Sequence, residues 1–341
     1  LRKNPSKPDH SMSESADPTR NIVLRFDMRC SPACRESQDQ RYHAAIEMAR
    51  WADEQSVDVV GLSEHHNTED GFLSAPLTLA AMMTAATRRV RISVSALLVP
   101  LHEPLRLAED IAVLDLVSRG RFSATCGLGY REVEYRSLGV DWSGRGQVFD
   151  DKLAVMVQAL SGKPFVYRGA QVQLNPAPQS PVQALLLVGG NSVVAARRAA
   201  RFGLLFCPAI DDPALDEAYL AACKEHNFNW GFTIFPREPA TTFLSDDPQR
   251  CWREIGEFLL YDATAYGAWR HPNRRAYAES TAGDMKELLA EGKYRILTPE
   301  QALASIQKTG SLHLAPLTGG VPLDRGWASL RLFEDQVQPY L

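Results

Sequence analysis

The sequence predicts an α/β protein, a (β/α)₈ TIM barrel with insertions, and three observations carry the expectation. Eight short β-prone runs recur along 341 residues. Segments with helical spacing of apolar residues separate them. The runs are apolar enough to be buried on both faces, as strands of a parallel sheet covered by helices must be. Eight such units favour closure into a barrel over an open doubly wound sheet. No linker or shift of composition divides the chain, so one domain is expected over 21–341. Residues 1–20 are polar, with Pro, Ser and Asp but no apolar run, and are expected to form a disordered tail.

The elements follow in order. The first strand is expected at 22–27. Ala45, Met48, Ala49 and Ala52 then share one face of a helix over 41–55. The apolar run 57–62 leads directly into Glu64-His65-His66. A helix opens near Pro76 and runs to about Arg88, and a third strand follows at 90–99. The helix at 104–118 stops at Gly120. The fourth strand, 121–126, ends in Gly127-Leu128-Gly129. Next come a helix near 148–160, a polar Pro/Gly-rich stretch over 162–182, and a fifth strand at 184–188. Gly189-Gly190-Asn191-Ser192 then opens a helix reaching Arg201. The sixth strand is expected at 204–207 and the seventh at 231–235. A helix at 248–265, a polar stretch over 266–293 and a helix at 299–308 lead to the eighth strand at 312–317. A last amphipathic helix covers 324–338.

Composition bounds the function. Lys and Arg number 37 against 41 Asp and Glu, giving a net charge of -4. That balance speaks against nucleic acid as a partner, while leaving room for a local phosphate site. No apolar run reaches bilayer-spanning length, and 1–20 carries no secretory signal, so no membrane contact and a cytoplasmic location are expected. The six cysteines are scattered and read as reduced thiols. Cys30 and Cys34 near His43 lack a second ligand pair at zinc spacing.

In a parallel barrel the chemistry sits at the C-terminal ends of the strands. Glu64, His65 and His66 end the second strand, where imidazoles can move protons near neutral pH. The bland alternative is a pair of surface histidines. A metal reading lacks a third ligand in the sequence, and none is expected. Gly127 and Gly129 allow close backbone approach to a ligand, or simply a tight turn; the third glycine of a dinucleotide fingerprint is missing. Gly189, Gly190, Asn191 and Ser192 at a helix start form an anion site, or merely a cap. Arg145 could supply the matching charge. The stretch 266–293, with Trp269 and His271, is expected to be a lid over the site, or else a surface excursion.

Taken together, certain motifs are similar to those of the luciferase-like flavin-dependent monooxygenases. They are Ser63-Glu64-His65-His66, Pro100 with Pro104, Ala108-Glu109-Asp110, Leu114-Asp115, Ser118-Arg119-Gly120-Arg121-Phe122, Leu138-Gly139-Val140-Asp141, Leu332-Phe333-Glu334 and Val337 with Pro339. The likeness runs from about residue 22 to the C-terminus. It implies a (β/α)₈ barrel that binds reduced FMN at its mouth and uses O₂ to oxidise a small organic substrate. It also implies a separate flavin reductase and a homodimer. His65 takes the place of the family's catalytic histidine. Ser95-Ala96 matches a pair that often holds a non-prolyl cis peptide under the flavin ring. Asn191 and Ser192 match flavin-phosphate contacts, and Arg145 lies one residue from the family's phosphate arginine. Three positions depart: Leu128 stands for a second arginine, Gly127 for a reactive cysteine beside Cys126, and Ala195 for a threonine. Part of the family uses a deazaflavin of the F-420 type for hydride transfer, and a non-catalytic flavin-binding subunit also occurs; both remain alternatives.

Overall fold

The computed structural model describes residues 20–237, 241–269 and 280–341. Its strands are β1 (Asn21–Phe26), β2 (Val59–Leu62), β3 (Arg91–Leu97), β4 (Phe122–Cys126), β5 (Phe165–Tyr167), β6 (Ala170–Val172), β7 (Leu186–Gly189), β8 (Leu205–Cys207), β9 (Thr241–Leu244), β10 (Tyr294–Leu297) and β11 (Ser311–Leu314). Nine form one sheet in the order β10-β9-β11-β1-β2-β3-β4-β7-β8. All described pairings within it are parallel. Helices connect successive strands, and the order from β9 through β11 and β1 to β8 is the succession of a (β/α)₈ barrel. β10 adds a strand on the outer edge of β9. Thr233 continues the other edge through one bridge to Phe206, and the described pairings leave the ring open between Thr233 and β10.

Burial makes these runs strands. Ile22, Leu24 and Phe26 alternate into the core from β1, and β3 buries Ile92 and Val94 and, past a shift of register, Leu97. Burying each such side chain contributes about 1.5–3 kcal/mol, more than the ~1 kcal/mol span of strand propensities. Trp51 packs edge-on against Phe333 of the last helix. Buried Arg41 joins the two ends of the chain: its guanidinium donates to the carbonyls of Val321 (2.9 Å) and Leu317 (2.6 Å).

The helix Pro104–Ser118 shows how one segment sets the next. Glu103 caps its start by accepting from Arg106 N–H at 2.9 Å. Its end is turned by Arg119 and Gly120, both in the left-handed region. Buried Asp115 then accepts from the main chain of Gln179 (2.6 Å) and Ser180 (2.9 Å), so the 162–182 insertion is tied back onto the barrel. That insertion contains the antiparallel hairpin β5–β6.

Several expected boundaries shift. The run 231–235 makes only the Thr233 bridge, and the seventh full strand is β9, whose four residues are all buried. β10 lies outside the expected strands: Tyr294 and Ile296 alternate into the core, but the run is only four residues long and directly follows a polar stretch. In the expected fifth strand, 182–185 form a helical turn and the strand runs Leu186–Gly189. The eighth ends at Leu314. The helix expected at 148–160 begins at Arg145. Of the expected tail, all but Arg20 lies outside the described residues, as do 270–279 of the expected lid; Met285–Glu291 within that stretch is helical.

Candidate active site

The ends of β1, β2, β3 and β4 build a buried polar corner around His65. Its main chain is fixed first: His65 N–H donates to Leu73 O (3.1 Å), and Leu73 N–H donates to Asp27 O beyond β1 (2.8 Å). The ring is then held from both sides. Nδ1 lies 2.8 Å from Glu134 Oε1, and Nε2 lies 2.8 Å from the Tyr130 hydroxyl. Glu134 Oε1 also accepts from His66 N–H (3.0 Å) and Arg131 Nη1 (3.0 Å). An ionised carboxylate only accepts, so Nδ1 carries the proton and Nε2 presents a lone pair toward Tyr130. Burial is the largest influence on His65 and lowers its pKa below the ordinary histidine value, outweighing the pull of Glu134. For Glu134, burial works upward, but the hydrogen bond from His65 and its neighbours leave the carboxyl below its ordinary value. The corner therefore holds a neutral imidazole with one tautomer selected, the state a general base needs.

Aromatic rings close over it. His65 meets Phe72 and Trp269 at 4.8 Å between ring centroids, and Tyr130 at 5.1 Å. Behind them lies fully buried Arg29, which pairs with Asp70 (2.9 Å) and Asp262 (3.3 Å). Its guanidinium faces the rings of Tyr266 (4.4 Å) and Trp269 (4.5 Å). Tyr266 and Trp269 lie at the end of the helix Pro248–Ala268, so the start of the expected lid stretch does reach His65.

Glu64 and His66 face away from His65 toward the end of β3. Glu64 Oε2 accepts from Leu98 N–H at 2.5 Å, while Oε1 accepts from His66 Nε2 (2.9 Å) and His102 Nε2 (2.6 Å). Burial opposes the charge on Glu64, yet the two imidazoles and the Leu98 N–H together hold its pKa at about 2. Glu64 thereby fixes the chain just past Ser95-Ala96, which is a cis peptide as the resemblance implied. Gly127 donates from its N–H to Leu97 O (2.8 Å), and a Cβ there would stand 2.7 Å from Ala96 Cβ. Only glycine lets β4 pass this peptide so closely. Cys126 is fully buried, and burial pushes its thiol up to about 12, so it does not replace the reactive cysteine absent at Gly127.

The other expected residues gather one strand further on. Gly189 pairs with Cys207, beside the end of β4. Gly190 has φ 138, and a Cβ there would lie 2.6 Å from Ala195 Cβ. Ser192 caps the helix Val193–Arg201 by accepting from Ala195 N–H at 3.2 Å, and Asn191 Oδ1 accepts from Ala209 N–H at 2.7 Å. Arg145 begins the neighbouring helix and stacks on Trp142, 3.8 Å from its centroid, with its Nε buried and unpartnered. Arg198 joins the two helices, reaching Asp150 and, at 3.5 Å, Gly146 O.

The sequence reading missed Tyr130, Arg131, Glu134, Arg29 and His102. A run of charged residues directly behind Gly127-Leu128-Gly129 was the available signal for the first three. Nothing in the sequence marks Arg29 or His102.

A family model described as "Luciferase-like monooxygenase" matches residues 25–310. Among curated relatives, the alkanal monooxygenase alpha chain of Photorhabdus luminescens is 28% identical over 339 residues, covering 89% of this chain and 93% of that one. The chain spans about half of the uncharacterized protein y4vJ of Sinorhizobium fredii, 50%, at 25% identity. Among solved structures, the monooxygenase RslO1 of Streptomyces bottropensis superposes with a TM-score of 0.72 at 23% identity, covering 94% of this chain and 99% of that chain. The oxygenating constituent of 3,6-diketocamphane monooxygenase of Pseudomonas putida, in complex with FMN, gives 0.70 at 19% identity, covering 94% and 98%. An F420-dependent secondary alcohol dehydrogenase gives 0.65 at 17% identity, covering 93% and 98%. No described helix is long and apolar enough to cross a membrane. With a family model over most of its length, a parallel α/β fold of that kind and a histidine-centred corner at the strand ends, the chain belongs to the luciferase-like monooxygenase family.

Proposed function

We propose that the chain is a flavin-dependent monooxygenase that uses reduced FMN and O₂ to oxidise a small organic substrate. The observation that carries this reading is the His65 imidazole at the strand ends, oriented by Glu134 on Nδ1 and bonded to the Tyr130 hydroxyl on Nε2. The donor set fits a flavin phosphate. Arg145 has a buried, unpartnered Nε, and Ser192 heads a helix whose first N–H groups favour an anion. Ser95, Ala96 and Gly127, whose backbones lie close together, would help hold the flavin ring.

When bound, reduced flavin supplies the electrons that activate O₂. The chain's own residues do the rest. His65 Nε2 accepts a proton from the reacting centre and Tyr130 relays it, while Glu134 keeps Nδ1 protonated. Phe72, Tyr266 and Trp269 exclude water from the corner. As the resemblance implied, electrons arrive with flavin reduced by a separate reductase, which the missing nicotinamide fingerprint of the sequence fits. We expect the enzyme to act as a homodimer, as the resemblance implied.

The test is a titration of the purified protein with reduced FMN and, separately, with the reduced deazaflavin, followed by rapid mixing with O₂ and organic substrates. Binding of FMN with faster O₂ consumption is expected. The F420-dependent structural neighbour keeps a second reading in play, a deazaflavin-dependent dehydrogenase. Deazaflavin binding with no affinity for FMN would establish that reading instead. A flavin-binding subunit without turnover would show binding but no dependence of O₂ consumption on His65.

A further inference from the structure

We propose that Glu64, His66 and His102 form a binding site for a divalent transition-metal ion of the zinc and cobalt class. The three donors come from two different strand ends, and their ligand atoms lie within 4.8 Å of one another. Both imidazoles aim the same atom, Nε2, at the same Glu64 oxygen, from 2.9 and 2.6 Å. Two imidazole nitrogens and one carboxylate oxygen within reach of one another are a donor set that suits such ions. A tetrahedral ion with bonds of about 2.0–2.2 Å sets its donors roughly 3.3–3.6 Å apart, so each imidazole backs off the Glu64 oxygen by under about 1 Å and the two rings draw together as the ion replaces the two N–H···O bonds.

The surroundings favour a built site. Glu64 cannot swing away, because its second oxygen is held by Leu98 N–H. His102 is clamped through its main chain: its N–H donates to Val99 O at 3.2 Å, and Lys152 Nζ donates to its carbonyl at 2.6 Å. Such outer contacts orient ligands before the ion arrives. Access is graded. The Glu64 side chain is fully buried, whereas His66 is 17% and His102 28% exposed. The ion thus has an entry path on the imidazole side, and water completes its coordination. His65, which turns to Glu134 and Tyr130, takes no part.

The experiment titrates the flavin-free, tag-free full-length protein with Co²⁺ and follows visible d–d absorption, with Zn²⁺ calorimetry alongside. One equivalent of each ion is expected to bind. His102→Ala should abolish the cobalt band and weaken Zn²⁺ binding at least tenfold, and Glu64→Gln should do the same. Circular dichroism checks each variant, with His102→Gln as the substitute if His102→Ala does not fold. A Cys30→Ser/Cys34→Ser variant should bind as the parent does. Absence of binding overturns the site, as does binding unchanged by His102→Ala or lost in the cysteine variant.

Discussion

Two parts of the strand-end face differ in how they are held. The His65 corner is closed: its imidazole has a partner on each nitrogen, Glu134 is fully buried, and rings cover the rest. The glycine–serine end at 189–192 is open. Its residues are half-buried or exposed, and its order includes the Ser192 helix cap and the hydrogen bond from Ala209 N–H to Asn191 Oδ1. A group that moves a proton must be placed in a water-poor pocket with its tautomer set. A group that holds a phosphate has to meet a ligand arriving from solvent, and N–H groups at a helix start suffice.

The largest effect that separates the two is His65→Ala. It should lower substrate-dependent O₂ consumption by about 10²–10⁴-fold and leave reduced-flavin affinity nearly unchanged by equilibrium titration. A matching loss of affinity would erase the distinction. Next is Glu134→Gln, which removes a charge-assisted hydrogen bond of about 1.5–3 kcal/mol, or roughly 10- to 100-fold in rate.

The same pair sets the pH profile. Because burial lowers the His65 pKa, the neutral base persists below the ordinary histidine value, and activity should fall only as pH drops through that lowered pKa. Glu134→Gln removes the influence that raises it, so the acid limb should move to still lower pH. A limb that stays put would detach Glu134 from the base. Stability follows the same sign. The unfolded chain takes up the His65 proton first, so this histidine costs stability as pH falls below its unfolded value.

At the open end the effects are smaller and fall on binding. Arg145→Ala should weaken FMN about tenfold, the loss of one charge-assisted contact of roughly 1.4 kcal/mol, with little change in turnover at saturating flavin. Ser192→Ala should cost about 1 kcal/mol of stability through the lost cap, read by urea unfolding, and only a few-fold in affinity. If Arg145→Ala depressed turnover more than binding, the division between the two regions would fail.

How much of this was legible follows from where the signals lie. Most sheet strands were readable because runs such as Arg91–Leu97 place Ile92, Val94 and Leu97 in the core and so carry their own apolar pattern. β10 was not, since the alternation of Tyr294 and Ile296 is too short to stand out between a polar stretch and a helix. His65 was legible because it directly follows an apolar strand. Its partner Glu134 sits in a short, charged helix that reads as solvated surface, and becomes buried only when the turn at Gly129 folds that helix over the corner. His102 is a lone histidine in a loop 38 residues from Glu64, and only the pairing of β2 with β3 brings them together.

The ring of Trp269 also makes the closed corner an optical device. Of the six tryptophans in the chain, this one has its ring centroid 4.8 Å from that of His65, tilted by 59°, and lies against two guanidinium groups, those of Arg29 and Arg131. Its emission therefore reports on occupancy of the corner. A ligand that displaces the indole should shift tryptophan fluorescence in the parent protein and leave a Trp269→Phe variant silent, so that binding can be followed without turnover and before any substrate is known.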